Sequence, residues 1–388
     1  MPMTEVLLCP DKFKDCLAAA DVASALRSGI HSVLPQVGVD SFAVSDGGDG
    51  LLEAVSAHGF TITEIVTHGP TSQLQRSRIA LCGTTAVIEL AEIVGARRLP
   101  DGIAAPLTAS TSGLGEAIMA ALDTGCIEIV IGLGGSASTD GGAGMIEALG
   151  GRLIAHDGSV VAPGGAELAR LSVLDLSGLD SRLSSTRFTV ACDVQNPLLG
   201  DEGAARVFGP QKGANARDIE VLEEGLVAWH AAVLAATGRN TADTTGAGAA
   251  GGTGYAAVAI LNATARSGIE LVLQLGNFGV RCASAALVIV GEGSLDRQSL
   301  GGKAPIGVAA AATNAGAEVV AVCGINTLTG EQLRASAISK VYSLADVQPD
   351  RDRSIEDAAA LLHYIGQTIA SRHIANNRSG HDNREARR

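Results

Sequence analysis

The chain has 388 residues with 41 acidic and 28 basic side chains, a formal net charge of −13, and it lacks the basic footprint that nucleic-acid binding needs. Hydrophobic residues make up 46% and aromatics only 3%, against 49 glycines, so the cores must be built from Ala, Val, Ile and Leu, as in α/β proteins with buried parallel strands. No stretch approaches the roughly 20 apolar residues that cross a bilayer, which excludes a membrane partner of that kind.

Glu5–Cys9 reads as a short apolar strand ending at Pro10, followed by the loop Asp11-Lys12-Phe13-Lys14-Asp15. Val22, Leu26, Ile30 and Val33 recur at helical spacing. A second strand over Val39–Val44 ends at Ser45-Asp46-Gly47-Gly48-Asp49-Gly50, and Leu51, Leu52 and Val55 open another helix. This β–loop–α–β–loop–α order begins a wound parallel sheet.

From about Thr61 the strands Ile62–Val66, Ser77–Leu81 and Ala86–Leu90 come in closer succession and predict hairpins, so a domain boundary is placed near residue 60. Thr108–Leu122 contains a helix leading to the stretch Ile127–Gly150, IEIVIGLGGSASTDGGAGMIEALG. There a β-branched strand feeds a Gly-rich turn and then a helix start at Asp140. Such a turn lets the backbone approach an anion and aims free N–H groups at it. No GxxxxGK[ST] phosphate loop occurs.

Arg187–Cys192 is a strand stopping at Asp193, with the turn Asn196-Pro197-Leu198-Leu199-Gly200 behind it; a helix over Glu220–Ala236 follows. Thr245–Tyr255, TGAGAAGGTGY, is the most glycine-dense stretch and precedes a helical pattern to about Ala265. Ala285–Val290 is a strand ending at Gly291-Glu292-Gly293-Ser294-Leu295-Asp296, and Gly301-Gly302-Lys303 leads into a helix through Ala312. Ala317–Cys323 and Val341–Ser343 are the last strands. Ser354 with Asp357 reads as a capping box for a final amphipathic helix through Ile369, and residues 376–388 read as a disordered tail.

The alternation of the first sixty residues resumes after about 285. The expected architecture is therefore one α/β domain from residues 1–60 and 285–375, with a second over 61–284 inserted into it. Ligands of wound sheets bind outside the carboxyl ends of the strands. The loops there carry carboxylates and lysines, as phosphate-and-metal chemistry requires: Asp11 and Lys12, Asp46 and Asp49, Asp193, Glu292 with Asp296, and Lys303. Asp193, straight after an apolar strand, is the favoured catalytic carboxylate. Ser136 lacks the G-x-S-x-G nucleophile elbow, and His68 and His156 lack partners at metal-ligand spacing. Seven scattered cysteines without a CxxC pair, and an N-terminus unlike a signal peptide, predict a cytoplasmic protein with reduced thiols.

Taken in order, Pro10-Asp11-Lys12-Phe13-Lys14, Asp46-Gly47-Gly48-Asp49-Gly50, Gly132–Ala137, Asp140–Gly144, Ala191–Val194, Asn196–Gly200, Phe208–Gly213, Gly246–Gly252, Gly291-Glu292-Gly293, Asp296, Gln298 and Gly302–Pro305 resemble the bacterial class I glycerate kinases. The resemblance runs from about residue 4 to 370. It implies a flavodoxin-like parallel sheet built from both chain ends, an inserted mixed α/β domain, and an active site in the cleft. It also implies ATP-dependent phosphorylation of glycerate with Mg²⁺, giving 2-phosphoglycerate, with 3-phosphoglycerate left open. Cys16 and Ala18 stand where that family usually has serines, Asp49 where Glu is more usual, Thr139 where Asn is common and Ser299 where Thr is common.

On this reading Lys12 or Lys14 and the Asp46–Gly50 backbone, with Asp11, Gly47, Gly48, Asp49 and Asn196, bind the hydroxy acid. Asp193 accepts the hydroxyl proton. Gly134, Gly135, Ser136, Asp140, Gly248, Gly251 and Gly252 hold the ATP phosphates, Lys303 meets the transferring group, and Glu292 and Asp296 position Mg²⁺ or substrate. GLGGSAS also resembles the phosphate loop of sugar and mevalonate-type kinases, so another small-molecule kinase is the first alternative and a non-catalytic ligand-binding regulator the second. A homo-oligomer is left open.

Overall fold

The computed structural model describes residues 5–14 and 16–375; the expected tail at 376–388 lies outside them. The chain divides into two compact units, residues 1–45 with 272–388, and residues 46–271. Both boundaries fall earlier than the residue-60 and residue-284 positions expected from the sequence. The helix Leu51–Ser56 packs on the strands Thr61–His68, Leu74–Cys82 and Thr85–Glu89, so it belongs with the second unit.

The first unit holds a five-stranded, wholly parallel sheet. Its spatial order is Lys340–Ser343, Glu318–Asn326, Leu287–Leu295, Val6–Pro10, Val39–Ser41. Counted along this unit's own strands that is 2-1-3-4-5, the flavodoxin-like order, whose switch point lies between Val6–Pro10 and Leu287–Leu295. Helices cover both faces, so alternate residues of one strand enter opposite cores. Val6 and Leu8 join Val22, Leu26 and Ile30 of the helix Ala19–Val33 and Leu362, Ile365 and Ile369 of the helix Ala358–Ile369. Leu7, Val288 and Val290 are buried on the other side, where Ala304–Asn314 packs. Val33, expected on the apolar stripe, is 39% exposed.

The two helices on the first face touch through glycine. A Cβ built on Gly29 would lie 2.0 Å from the His363 carbonyl oxygen, so only hydrogen fits. Ser354 does not start the last helix; it lies inside the helix Arg351–Glu356, whose N-cap is Asp350, accepting from the Arg353 N–H. A capping pattern in sequence marks a helix end only if the chain turns there, and here a separate short helix begins at Arg351 while the last helix begins only at Ala358.

The second unit carries a six-stranded mixed sheet in the order Thr264–Arg266, Arg187–Ala191, Glu128–Gly132, Thr85–Glu89, Leu74–Cys82, Thr61–His68. The first four run parallel; the last three form the antiparallel meander that close strand spacing predicts. Thr264–Arg266 is a strand where a helix was expected. The helix Ala249–Ala259 ends short of it, and Asn262 turns the chain with φ +56°. A small antiparallel pair, Arg152–Ala155 with Leu171–Asp175, was not foreseen. The helix Ala216–Thr237 opens on an Asn215–Asp218 capping box and buries Trp229, whose Nε1–H donates to the Gly141 carbonyl at 3.0 Å.

Five of the seven cysteines are buried and all seven are free thiols; Cys82 is exposed. Among the described residues no helix is long and apolar enough to cross a membrane.

Gly29→Ala should cost the first unit about 2 kcal/mol or more, because the added methyl meets backbone that cannot move aside. Urea unfolding followed by circular dichroism checks this; a midpoint equal to the wild type would contradict the close contact.

Candidate functional site

In the second unit, the four parallel strands end at Glu89, Gly132, Ala191 and Arg266, and the Asp46–Gly50 loop lies across those ends. The approach is backbone to backbone. A Cβ on Gly134 would sit 2.8 Å from the Gly48 Cα, and one on Gly47, whose φ is +86°, 2.8 Å from the Ala191 Cβ. The loop is held from within by the Gly48 N–H donating to Asp46 Oδ1 at 3.1 Å. It is held from below by Glu89, which accepts from the Gly50 N–H at 3.1 Å and the Leu52 N–H at 3.0 Å. Burial pushes the Glu89 carboxyl up to about 7; the Leu52 and Gly50 N–H groups oppose this, and the charges of Glu53 and Glu92 add to it.

Asp49 pairs with Arg97 at 3.0 Å, and Arg97 follows Ala96, whose N–H donates to the Gly135 carbonyl at 2.9 Å. An 85% exposed guanidinium therefore stands beside both the acidic loop and the Gly-rich turn. Asp193 is also on this edge and reachable from solvent. Its Oδ1 accepts from the Gly268 N–H at 3.3 Å. Burial is the largest cause lifting its pKa above the usual carboxylate range; the Ser267 hydroxyl and the Gly268 N–H pull down, and Asp46 and Glu270 push up. A carboxylate that is accessible and more basic than usual is suited to taking a proton from a hydroxyl.

The Gly-rich turn presents Gly135 to solvent and buries the residues after it: Ser136 is 7% exposed, and Ser138, Thr139 and Asp140 are essentially inaccessible. Asp140 is turned into its own chain. Its Oδ2 accepts from the Thr111 N–H and hydroxyl at 2.8 Å each and from the Gly144 N–H at 3.3 Å, and its Oδ1 accepts from the Gly142 N–H at 3.2 Å. It clasps the turn to the start of the helix Ala143–Ala148, and burial raises its pKa.

Gly248, Gly251 and Gly252 are likewise buried, not open to a phosphate. The Gly251 carbonyl accepts from the Gly141 N–H at 2.9 Å, and the Gly248 N–H donates to the Asn196 carbonyl at 2.9 Å. The glycine-dense segment thus buttresses the Gly-rich turn. Ala250, Gly251 and Gly252 are all left-handed there, with φ of 50°, 67° and 90°. Asn196 spends its side-chain amide on the Glu202 carbonyl at 2.8 Å, shaping its own turn.

Two residues on this side were not singled out from the sequence. Glu89 is signalled by a carboxylate inside an otherwise apolar run, Ala86–Leu90. Lys212 is a buried lysine whose ammonium donates to the Ser136 hydroxyl at 2.7 Å and to the Ser138 carbonyl. It lies in the Phe208–Gly213 stretch that carries the resemblance, but neither that stretch nor its local pattern gave it a role. His68 is taken up by Glu116, 2.6 Å from its Nδ1, as a structural pair.

In the first unit, the loop after Val6–Pro10 and the far half of Leu287–Leu295 meet at the switch point. The Asp11 N–H donates to the Gly291 carbonyl at 2.8 Å, and Gly293 lies against Phe13 and the Lys14 N–H. The stretch Gly291–Leu295 continues the strand instead of forming the expected loop, pairing Glu292 with Cys323 and Ser294 with Ile325. Glu292 is 8% exposed and, among the described residues, its Oε1 has no hydrogen-bond partner. Burial pushes its carboxyl up to about 7; Ser299 and Lys303 oppose this, Asp296 and Asp11 add to it. Asp296 is held low mainly by the Gln298 N–H. Lys303 reaches Gln298 Oε1 at 3.4 Å, and Lys12 and Lys14 are exposed.

Among the described residues no group of three or more His, Cys, Asp and Glu side chains could cage a metal. A Mg²⁺ ion needs less, taking one or two carboxylates and filling its shell with water and phosphate. The orphaned Glu292 oxygen beside Asp296 fits that demand.

Residues 6–374 match the family model described as the glycerate kinase family. A Bacillus subtilis (strain 168) protein named glycerate kinase is 40% identical over 371 residues, covering 95% of this chain and 97% of that one. Escherichia coli K12 glycerate 2-kinase is 38% identical, covering 96% and 97%. A crystal structure of a candidate glycerate kinase 2 from Salmonella typhimurium LT2 superimposes with a TM-score of 0.84 at 36% identity, covering 97% of this chain and all of that one.

Glu89 makes folding pH-dependent. Its folded value of about 7 exceeds its ordinary 4.5, so as pH rises through that window the unfolded chain releases its proton first and stability falls. Glu89→Gln should remove from the stability–pH curve a decline of at most about 3 kcal/mol between those values. Chemical denaturation at steps from pH 4.5 to 8 measures it, and parallel curves for both proteins would contradict it.

Proposed function

The chain belongs to the glycerate kinase family, and from that premise we propose that it transfers the γ-phosphoryl group of ATP to the 2-hydroxyl of D-glycerate, giving 2-phosphoglycerate and ADP. What carries the reading is the convergence of Asp46–Asp49, Gly134–Ser136 and Asp193 at the carboxyl ends of one parallel sheet. Together they offer an acceptor loop, an anion-binding turn and a basic carboxylate. The E. coli relative's name supports the 2-position.

In this mechanism the hydroxyl oxygen attacks the γ-phosphorus, the new O–P bond forms as the bond to the β-phosphate oxygen breaks, and ADP leaves. Asp193 accepts the hydroxyl proton as the attack proceeds; its raised pKa makes it a better acceptor than a free aspartate. The backbone of Asp46–Gly50 orients the acid's carboxylate; in the first unit Asp11 steadies the loop that carries Lys12 and Lys14, whose ammonium groups suit an anionic substrate. Gly134, Gly135 and Ser136 receive the nucleotide phosphates. Asp140, Gly248, Gly251 and Gly252 support that turn from behind, and Asn196 holds the neighbouring one. Lys303 offsets charge on the moving group. Glu292 and Asp296 would hold Mg²⁺, which neutralises phosphate charge when bound. The enzyme acts on a small molecule in the cytoplasm and has no nucleic-acid partner.

Incubation with ATP, Mg²⁺ and D-glycerate followed by phosphorus NMR should show 2-phosphoglycerate; 3-phosphoglycerate would move the attack to the other hydroxyl, and no product would overturn the reading. Asp193→Asn should lower kcat by about 10²–10⁴-fold with little change in ATP affinity. Wild-type turnover would remove Asp193 from the role. Glu292→Gln should raise the Mg²⁺ concentration needed for half-maximal rate, and an unchanged requirement would place the ion elsewhere.

A further inference from the structure

Lys212 ends the turn Pro210–Lys212 and is 8% exposed. Besides the Ser136 hydroxyl and the Ser138 carbonyl, it meets the backbone of the glycine-dense segment: a Cβ on Gly251 would lie 2.9 Å from its Nζ. Among the described residues it makes no ion pair. Asp140 is the charged group that bears on it, and both Asp140 oxygens are occupied by Thr111, Gly142 and Gly144; the packed segment Ala249–Gly252 brings no charged group. Burial pulls the ammonium down to about 7, against Asp140. Two further polar atoms of the same turn, Ser138 Oγ and Thr139 Oγ1, are buried and have no partner among the described residues.

A buried cation with no ion pair, and with only the already engaged Asp140 carboxylate acting on it through space, is expensive, and a fold that gained only packing from this position would hold an apolar side chain there. The missing negative charge is what an anion on the Gly134–Ser136 turn supplies. We propose that Lys212 is a positioning residue for the nucleotide phosphates: from behind the turn its ammonium ties Ser136 to the Ser138 carbonyl, fixes the turn's curvature and lends it positive charge. The inference rests on the assignment of this turn to ATP made above. Lys212 does not touch the ligand; it acts through Ser136 and through its field. Its charge should therefore matter to ATP and not to glycerate. An anion above it strengthens its hold on its proton, so binding takes up a proton above neutral pH, and affinity falls as pH rises past about 7.

The test is calorimetry of Mg·ATP binding at pH 8 in two buffers of different ionisation enthalpy, with steady-state kinetics, on the wild type and Lys212→Met. Circular dichroism and melting control for folding. The wild type should take up a fraction of a proton approaching about one per site, and the variant none. The variant's KM for ATP should rise about 10–100-fold while its KM for glycerate stays within about twofold. A folded variant with an unchanged KM for ATP would overturn the inference. Should the variant fail to fold, the wild-type measurement decides alone: buffer-independent heats overturn the inference, and proton uptake supports it. A wild type that binds Mg·ATP with proton uptake yet does not phosphorylate glycerate would sink the substrate reading and leave Lys212 in place.

Discussion

Everything on the second unit's functional edge depends on two backbones lying closer than side chains allow. The ends of Glu128–Gly132 and Arg187–Ala191 are crossed by Gly47 and Gly48 with hydrogen where a methyl would stand. That contact puts Asp46 near enough to Asp193 to raise its pKa and brings Asp49 beside Gly135. Carboxylates from separate stretches of chain become one electrostatic group because the glycines between them occupy almost no volume. A methyl at Gly134 would push the acidic loop off the sheet and separate the groups it unites.

The charges beneath that surface follow a different rule from those on it. Asp46, Asp193, Lys12 and Lys14 are open to solvent, whereas Asp140, Glu89, Lys212 and Glu292 are buried. Glu89 is satisfied by backbone N–H groups, Asp140 by backbone N–H groups and the Thr111 hydroxyl, and both so fix loops. Lys212 and Glu292 are left incompletely matched, one a cation and the other a carboxylate with an orphaned oxygen. Incomplete matching inside a protein is costly, and it is tolerated where a ligand of opposite charge completes it.

Much of this was legible in the residues. Val6–Pro10 is apolar throughout and Arg187–Ala191 is buried from Phe188 onward because helices or loops cover both faces, and each stops where polar residues begin. The parallel sheet and its loops could be read from that punctuation. Thr264–Arg266 could not: three residues with an arginine carry no periodicity, and only the exposed ladder of Arg187–Ala191 makes them a strand. Direction was the other blind spot. Asp140 and Gly251 have the right chemistry in the right segment, but whether a carboxylate or an amide faces a phosphate or its own chain is settled by packing from elsewhere. Lys212 was hidden for the same reason, since its burial is created by Ser138 and Gly251, far from it in sequence.

The strand order of the first unit carries a consequence for biosynthesis. Val6–Pro10 leaves the ribosome well before Leu287–Leu295, one of its two neighbours, which is made only after the whole of residues 46–271. The intervening unit is continuous and can fold as it emerges, while the nascent amino-terminal strand and helix wait with a bare apolar ladder. Pairing across so long a separation makes closure of that sheet a late and slow event. Until Leu287–Leu295 is made, the Val6–Pro10 edge has a stake in chaperone cover.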